Sequence, residues 1–182
     1  MGIFTFVPMQ NNRIFLIGFM GVGKTTIGKR LANKLDIPFV DLDQIIEDKF
    51  QISINEFFSK YGEATFRKEE TKMLESVIGE FDKAIISVGG GLPCFNENME
   101  RMNANGTTCY LHRPAKELFQ RLINSKTDRP LLRDLNDDEL LNFIDNKLLE
   151  REVYYNQAKF TFTREEQELN QIIKILNING VK

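Results

Sequence analysis

Residues 18–26 read GFMGVGKTT, between the apolar run RIFLIG (13–18) and the helix-like TTIGKRLANKL (25–35). Gly18, Gly23, Lys24 and Thr25 satisfy G-x-x-x-x-G-K-[ST] in the strand, loop and helix context that the pattern requires. Glycines let the backbone curl so that successive N–H groups point inward at phosphate oxygens. A helix starting at Thr25 adds its positive end to the same place. Lys24 is then placed to reach β- and γ-phosphates, and the Thr25 hydroxyl to ligate Mg²⁺. The stretch specifies a nucleoside triphosphate and says little about the reaction that follows.

Four further apolar runs have strand length: PFVDLD (38–43), AIISVG (84–89), TTCYLH (107–112) and KFTFT (159–163). They are continuous rather than alternating, which suits strands buried on both faces. Helical patterns separate them. Ile27, Leu31 and Leu35 form one stripe after the phosphate loop. SINEFFSKYG (53–62) opens with Ser53 and Glu56 at capping-box spacing and closes at Gly62. EATFRKEETKMLESVIG (63–79) stops at another glycine, and PAKELFQRLIN (114–124) puts Pro114 at the first helical position. DDELLNFIDNKLLEREVYYNQA (137–158) starts with two acids, favourable to the helix dipole, and REEQELNQIIKIL (164–176) follows. This alternation predicts an α/β fold, a five-stranded parallel sheet with helices on both faces and ligands at the carboxyl ends of the strands. The charged stretch NSKTDRPLLRDLN (124–136), with its Arg-Pro centre, reads as a lid.

At 182 residues the chain suffices for one sizeable core. A net charge of -2 and a pI near 5.6 provide no basic field to recruit nucleic acid or an anionic membrane, so an anionic substrate must be met by a few placed arginines. Cys94 and Cys109 are too few for a disulfide framework and read as small apolar residues in a reducing compartment. No run is long and apolar enough to cross a membrane, and MGIFTFVPMQNN lacks a basic n-region, so the cytoplasm is expected. Residues 1–12 read as an N-terminal extension, disordered in expectation. The lone His112, in LHRP at a strand end, is not needed for phosphoryl transfer, and Asn105-Gly106-Thr107 reads as a turn rather than a glycosylation site.

The phosphate loop is shared by switches, motors and small-molecule kinases. Asn33 to Asp36 spells NKLD, a guanine-reading pattern, but in the helix that follows the phosphate loop rather than after a later strand. A motor would end its Walker-B strand in an acid, whereas AIISVGGG offers Ser87. The carboxylates must come from elsewhere, and the Asp-Leu-Asp at 41–43 supplies them. Residues two apart on a strand point the same way, so Asp41 and Asp43 are expected to face one cavity. One would address magnesium through water while the other takes a substrate hydroxyl proton. Arg67, Arg129 and Arg151 stand out as anion clamps, and Gly89 to Gly91 ends a strand where bare backbone can approach a ligand.

Taken together, GFMGVGKTTIGKRLA, FVDLDQIIE, FRKEE (Phe66, Arg67, Glu70), GGG, RPLL (129–132) and REVYYNQA (151–158) resemble the shikimate kinase family over Arg13 to Phe160. The resemblance implies an adenylate-kinase-like P-loop NTPase fold of three layers, with a substrate-binding region near 43–80 and a mobile lid, in one kinase domain spanning 13–182. It implies ATP-dependent phosphorylation of the 3-hydroxyl of shikimate, in the route to chorismate and the aromatic amino acids, by a monomer. The backbone of Gly21, Val22, Gly23, Lys24, Thr25 and Thr26 would hold ATP phosphates, with Thr25 on Mg²⁺ and Asp41 on it through water. Asp43 would bind ring hydroxyls and act as general base. Arg67, Gly90 and Arg151 would bind shikimate, the two arginines on its carboxylate. Lys24 and Arg129 would act in transfer, Arg129 closing over the phosphates, and Phe66 would pack near the ring. The other readings are a gluconate-kinase-like enzyme and a non-catalytic regulator that binds nucleotide or shikimate. Arg164, after the fifth strand, is left without a role.

Overall fold

The chain is described by a computed structural model over residues 12–125, 132 and 135–178. Five strands, β1 (Asn12–Ile17), β2 (Phe39–Asp41), β3 (Lys83–Ser87), β4 (Thr107–Leu111) and β5 (Phe160–Phe162), form one sheet in the order β2-β3-β1-β4-β5. Every pairing is parallel. β1 is central, which explains why Ile14 to Ile17 are all apolar and almost wholly buried. The two-residue period divides that run: Ile14 and Leu16 face one core, Phe15 and Ile17 the other.

The eight α-helices of the described residues are α1 (Lys24–Leu35), α2 (Leu42–Phe50), α3 (Ile54–Tyr61), α4 (Glu63–Glu80), α5 (Asn98–Asn105), α6 (Ala115–Ile123), α7 (Asp137–Tyr155) and α8 (Leu169–Ile175). One sheet face packs under Leu31 of α1, Leu118 of α6, Ile144 of α7 and Ile172 of α8. The opposite face packs under Leu74 and Val77 of α4 and Met99 and Met102 of α5. Helices therefore cover both faces, as the strand composition predicts. A third cluster, Ile46, Phe57 and Phe66, ties α2, α3 and α4 together. At the amino end of the sheet the Arg13 guanidinium donates to Ile78 O at 2.8 Å and to Asn105 O at 3.2 Å, pinning the carbonyl ends of α4 and α5 with a cation.

The departures from the sequence reading are local. PFVDLD is not a strand to its end: extended backbone stops at Asp41 and α2 begins at Leu42. Its Leu42 and Ile46, spaced i, i+4 and buried, carry the helical signal that the apolar reading of the run masked. α5 was not expected, because its sequence NMERMNAN is rich in asparagine, a poor helix former, and shows only the Met99/Met102 pair. Pro114 caps α6 from outside, at ψ 149°, and its carbonyl accepts from Glu117 N and Leu118 N. β1 starts at Asn12, inside the segment read as extension, and a 3₁₀ turn (Glu165–Gln167) precedes α8, whose first residue is Leu169 rather than Arg164. The Ser53/Glu56 capping box forms in full. Most of the stretch read as a lid, Arg129 included, lies outside the described residues.

Candidate active site

The site lies at the carboxyl ends of β1, β2 and β3. After β1 the chain bends through Gly21 and Gly23 at φ of 78° and 110°, left-handed backbone that favours glycine. Gly23 caps α1, so the first turn of that helix points its N–H groups into the bend. Lys24 folds back over the loop, its Nζ donating to Gly18 O at 2.8 Å and Phe19 O at 3.2 Å. The loop, β2 and the β3 end together enclose a cavity of about 510 Å³. Its wall includes Gly21, Gly23, Lys24, Thr25, Thr26, Asp41, Asp43 and Gly90 of the predicted residues. Val22 is buried behind it, and its N–H donates to Phe19 O at 3.3 Å.

Asp41 and Asp43 converge on this cavity for a reason other than strand alternation. Asp41 is the last extended residue, at φ -108° and ψ 112°, and Asp43 sits in the first turn of α2. The switch from strand to helix between them turns both side chains toward the phosphate loop. Thr25 Oγ1 donates to Asp41 Oδ2 at 2.8 Å. A hydroxyl and a carboxylate at that spacing are hard oxygen donors that suit Mg²⁺. No cluster of three or more His, Cys, Asp or Glu among the described residues could hold a metal unaided, so a cation here would draw other ligands from phosphates or water. Asp43 has a different environment. Burial pushes its carboxyl up to about 6, Lys24 opposes that shift, and Asp41 and Glu47 add to it. A carboxyl poised there is matched to general-base work near neutral pH.

Beyond the cavity wall the triple glycine gathers the remaining groups. A Cβ on Gly89 would lie 2.6 Å from Glu70 Oε1 and 2.8 Å from Asp43 Oδ1. On Gly90 it would lie 3.4 Å from Arg151 Nη1, and on Gly91 2.6 Å from Arg67 Nη2. Close approach by two acids at Gly89 and by Arg67 at Gly91 crowds out side chains there, whereas at Gly90 the nearest atom is Gly18 O of the phosphate loop at 3.3 Å. Neither arginine lines the cavity itself. Arg67 is braced by Glu70 at 2.6 Å and Glu63 at 3.1 Å, and its guanidinium lies 4.5 Å from the Phe95 ring centroid. Arg151 lies over Phe19, at 5.3 Å. Phe66 is buried beneath Arg67 with Phe57, and the half-buried Phe58 also faces the guanidinium.

Three residues of this neighbourhood escaped assignment from sequence. Glu70, quoted within FRKEE, is fully buried and burial pushes its carboxyl up to about 7, against the pull of Arg67. Arg121, in the last turn of α6, lines the cavity and its Nε donates to Gly21 O at 2.8 Å; a basic residue just before the lid stretch was the available signal. Tyr155, four residues after Arg151, donates its hydroxyl to Gly90 O. His112 and Arg164 stand apart: His112 packs edge-on against Tyr110, and the exposed Arg164 pairs with Glu117 at 3.4 Å.

The family model described as shikimate kinase matches residues 20–177. A shikimate kinase of Bacteroides fragilis is 47% identical over 175 residues, covering 92% of this chain and 97% of its own. One from Azobacteroides pseudotrichonymphae is 47% identical over 90% of this chain and 96% of its own. Among solved structures, the shikimate kinase of Bacteroides thetaiotaomicron superposes with a TM-score of 0.87 at 44% identity, covering 91% of this chain and 98% of that one. The shikimate kinase of Acinetobacter baumannii, solved in complex with shikimate, gives 0.80 at 32% identity, covering 96% and 97%.

Proposed function

The chain belongs to the shikimate kinase family, with the adenylate-kinase-like P-loop fold, and from that membership we propose that it transfers the γ-phosphoryl group of ATP to the 3-hydroxyl of shikimate. The product, shikimate 3-phosphate, feeds chorismate and aromatic amino acid synthesis. What carries the reading is the triple glycine: it lets Asp43 and Glu70, Arg67, and Arg151 approach the same backbone beside a phosphate loop. A polyol ring bearing one carboxylate is the kind of ligand such a set recognises. Guanidinium forks suit a carboxylate, and a carboxyl of raised proton affinity suits an alcohol.

In this proposal the backbone from Gly21 to Thr26 holds the phosphates, and Lys24 leaves its loop carbonyls for the β/γ-phosphate oxygens. Bound Mg²⁺ would neutralise phosphate charge, held by Thr25 and, through water, by Asp41. Asp43 takes the proton of the 3-hydroxyl as that oxygen attacks phosphorus and the bond to the ADP oxygen breaks. Arg67 and Arg151 hold the carboxylate, and the backbone of Gly90 borders the ring. Arg129, outside the described residues, closes over the phosphates from the lid and excludes water. We further propose a cytoplasmic monomer; no helix of the described residues is long and apolar enough to cross a membrane.

A coupled assay for ADP, run with shikimate and with gluconate, tests the reading. Turnover with shikimate alone is expected, with phosphorus NMR showing a new ester at the 3-oxygen. Turnover with gluconate, or with neither, rejects it.

A further inference from the structure

Tyr155 has no exposed surface, although it belongs to the last turn of α7, where Val153 is exposed, as is Leu149 earlier in the helix. Its ring is wedged in the core under α4 and α5, 4.9 Å from the ring of Tyr110. The phenol therefore has one fixed position. From there its proton goes to Gly90 O across 2.5 Å. The Arg151 guanidinium, one helical turn earlier, lies against the same glycine, its Nη1 3.4 Å from where a Cβ on Gly90 would sit. The hydroxyl and the arginine thus meet the triple glycine at the same residue.

The flanking carbonyls are tied locally, Gly89 O accepting from Leu92 N at 3.1 Å and Gly91 O from Cys94 N at 2.9 Å, and the carbonyl between them is tied by Tyr155. Gly90 has no side chain to pack, and a peptide next to glycine is otherwise free to reorient. The peptide unit is planar and trans, so holding Gly90 C=O toward Tyr155 also sets the opposite direction of Gly91 N–H. A Cβ on Gly90 would lie 3.3 Å from Gly18 O and 3.5 Å from Met20 N, so this peptide also abuts the phosphate loop.

Resting on the shikimate reading above, the geometry points to Tyr155 as a positioning residue: its hydroxyl fixes the 90–91 peptide, against which the Arg151 guanidinium lies, so that the acceptor meets a preorganised site. It touches neither substrate nor nucleotide. Its effect belongs to acceptor binding, with ATP binding and the transfer step left nearly intact.

Tyr155→Phe keeps the ring and removes the hydroxyl. The expected result is a rise of about three- to tenfold in shikimate KM, the scale of one hydrogen bond, with kcat and ATP KM within about twofold. Paired with Arg151→Lys it gives a double-mutant cycle, in which non-additive effects on shikimate KM are expected because both side chains meet the Gly90 peptide. An unchanged shikimate KM overturns the inference. So do additive effects in the cycle, a parallel loss in every kinetic parameter, or a variant too unstable to assay, each of which marks a residue that only packs. Wild-type turnover of shikimate is measured first, so a failure of the functional reading shows there and is not confused with a failure at Tyr155.

Discussion

Arg67 Nη1 donates to Glu70 Oε2 across 2.6 Å, and that carboxylate is 1% exposed while the guanidinium side chain retains 12%. The pair is one-sided: the acid is buried and the base reaches toward the glycines. Burial is the larger influence, and it raises Glu70 from 4.5 to about 7. The folded state consequently holds this proton more tightly than the unfolded chain does. The stability that Glu70 contributes is complete below pH 4.5 and is lost as pH rises through about 7. Glu70→Gln keeps the shape and removes the titration. Thermal melts from pH 5 to 8 should show a shallower decline in Tm for the variant than for the wild type; equal slopes would refute the assignment.

Asp43 predicts the acid limb of the reaction. Its carboxyl is raised to about 6 by burial, so kcat/KM for shikimate should fall as pH drops below that value. Glu70 lies across Gly89 from Asp43, and the charge of Asp43 adds to the burial that raises Glu70 to about 7. Glu70→Gln should therefore leave the limb near pH 6, because Glu70 is mostly protonated and neutral while Asp43 titrates. A limb that moves to lower pH in the variant would show that Glu70 is charged when Asp43 loses its proton.

The two arginines, alike in the sequence reading, separate by their partners. Arg67→Ala leaves Glu70 buried without its cation, so shikimate KM should rise and Tm should fall together. Arg151 has no ion pair among the described residues and lies on Phe19, so Arg151→Ala should raise KM with Tm nearly unchanged. Each loss of binding should be about 2–5 kcal/mol, the scale for removing one member of a buried charge pair. Steady-state kinetics beside melting curves decide it, and identical Tm losses would contradict the asymmetry.

What could be read in the sequence was what is local or repeated. The phosphate loop, the parallel strands and the Ser53 capping box each follow from short-range chemistry that no tertiary contact overrides. Asp41 and Asp43 were assigned to one cavity by the wrong geometry, since an apolar run of six residues does not say where strand yields to helix. Glu70 meets Arg67 only three residues away, and what the sequence hides is its burial; Arg121 and Tyr155 are harder for another reason, since each acts on backbone distant in the chain. Arg121 meets Gly21, and Tyr155 meets Gly90. Nothing in their immediate neighbours encodes those partners.

Gly89 and Gly79 make a final contrast, because a methyl group at each meets opposite surroundings. At Gly89 it would press against two carboxylate oxygens, at 2.6 and 2.8 Å, belonging to the groups proposed to manage the acceptor's proton. Both oxygens are side-chain ends that can rotate away, but doing so turns Glu70 from Arg67, which it meets at 2.6 Å, and Asp43 from its place in the cavity wall. Overpacking of this kind costs about 1–3 kcal/mol of stability. Displacing Asp43 should lower kcat as well, by about tenfold or more, since small misplacements of a catalytic group are expensive. Gly79 lies inside α4 with no atom within 4 Å of the added carbon. There alanine should stabilise by about 0.5–1 kcal/mol through helix propensity and reduced freedom of the unfolded chain. Gly89→Ala with normal kcat, in a folded enzyme, would mean that Asp43 is not confined by the triple glycine and that the base can be supplied from another position.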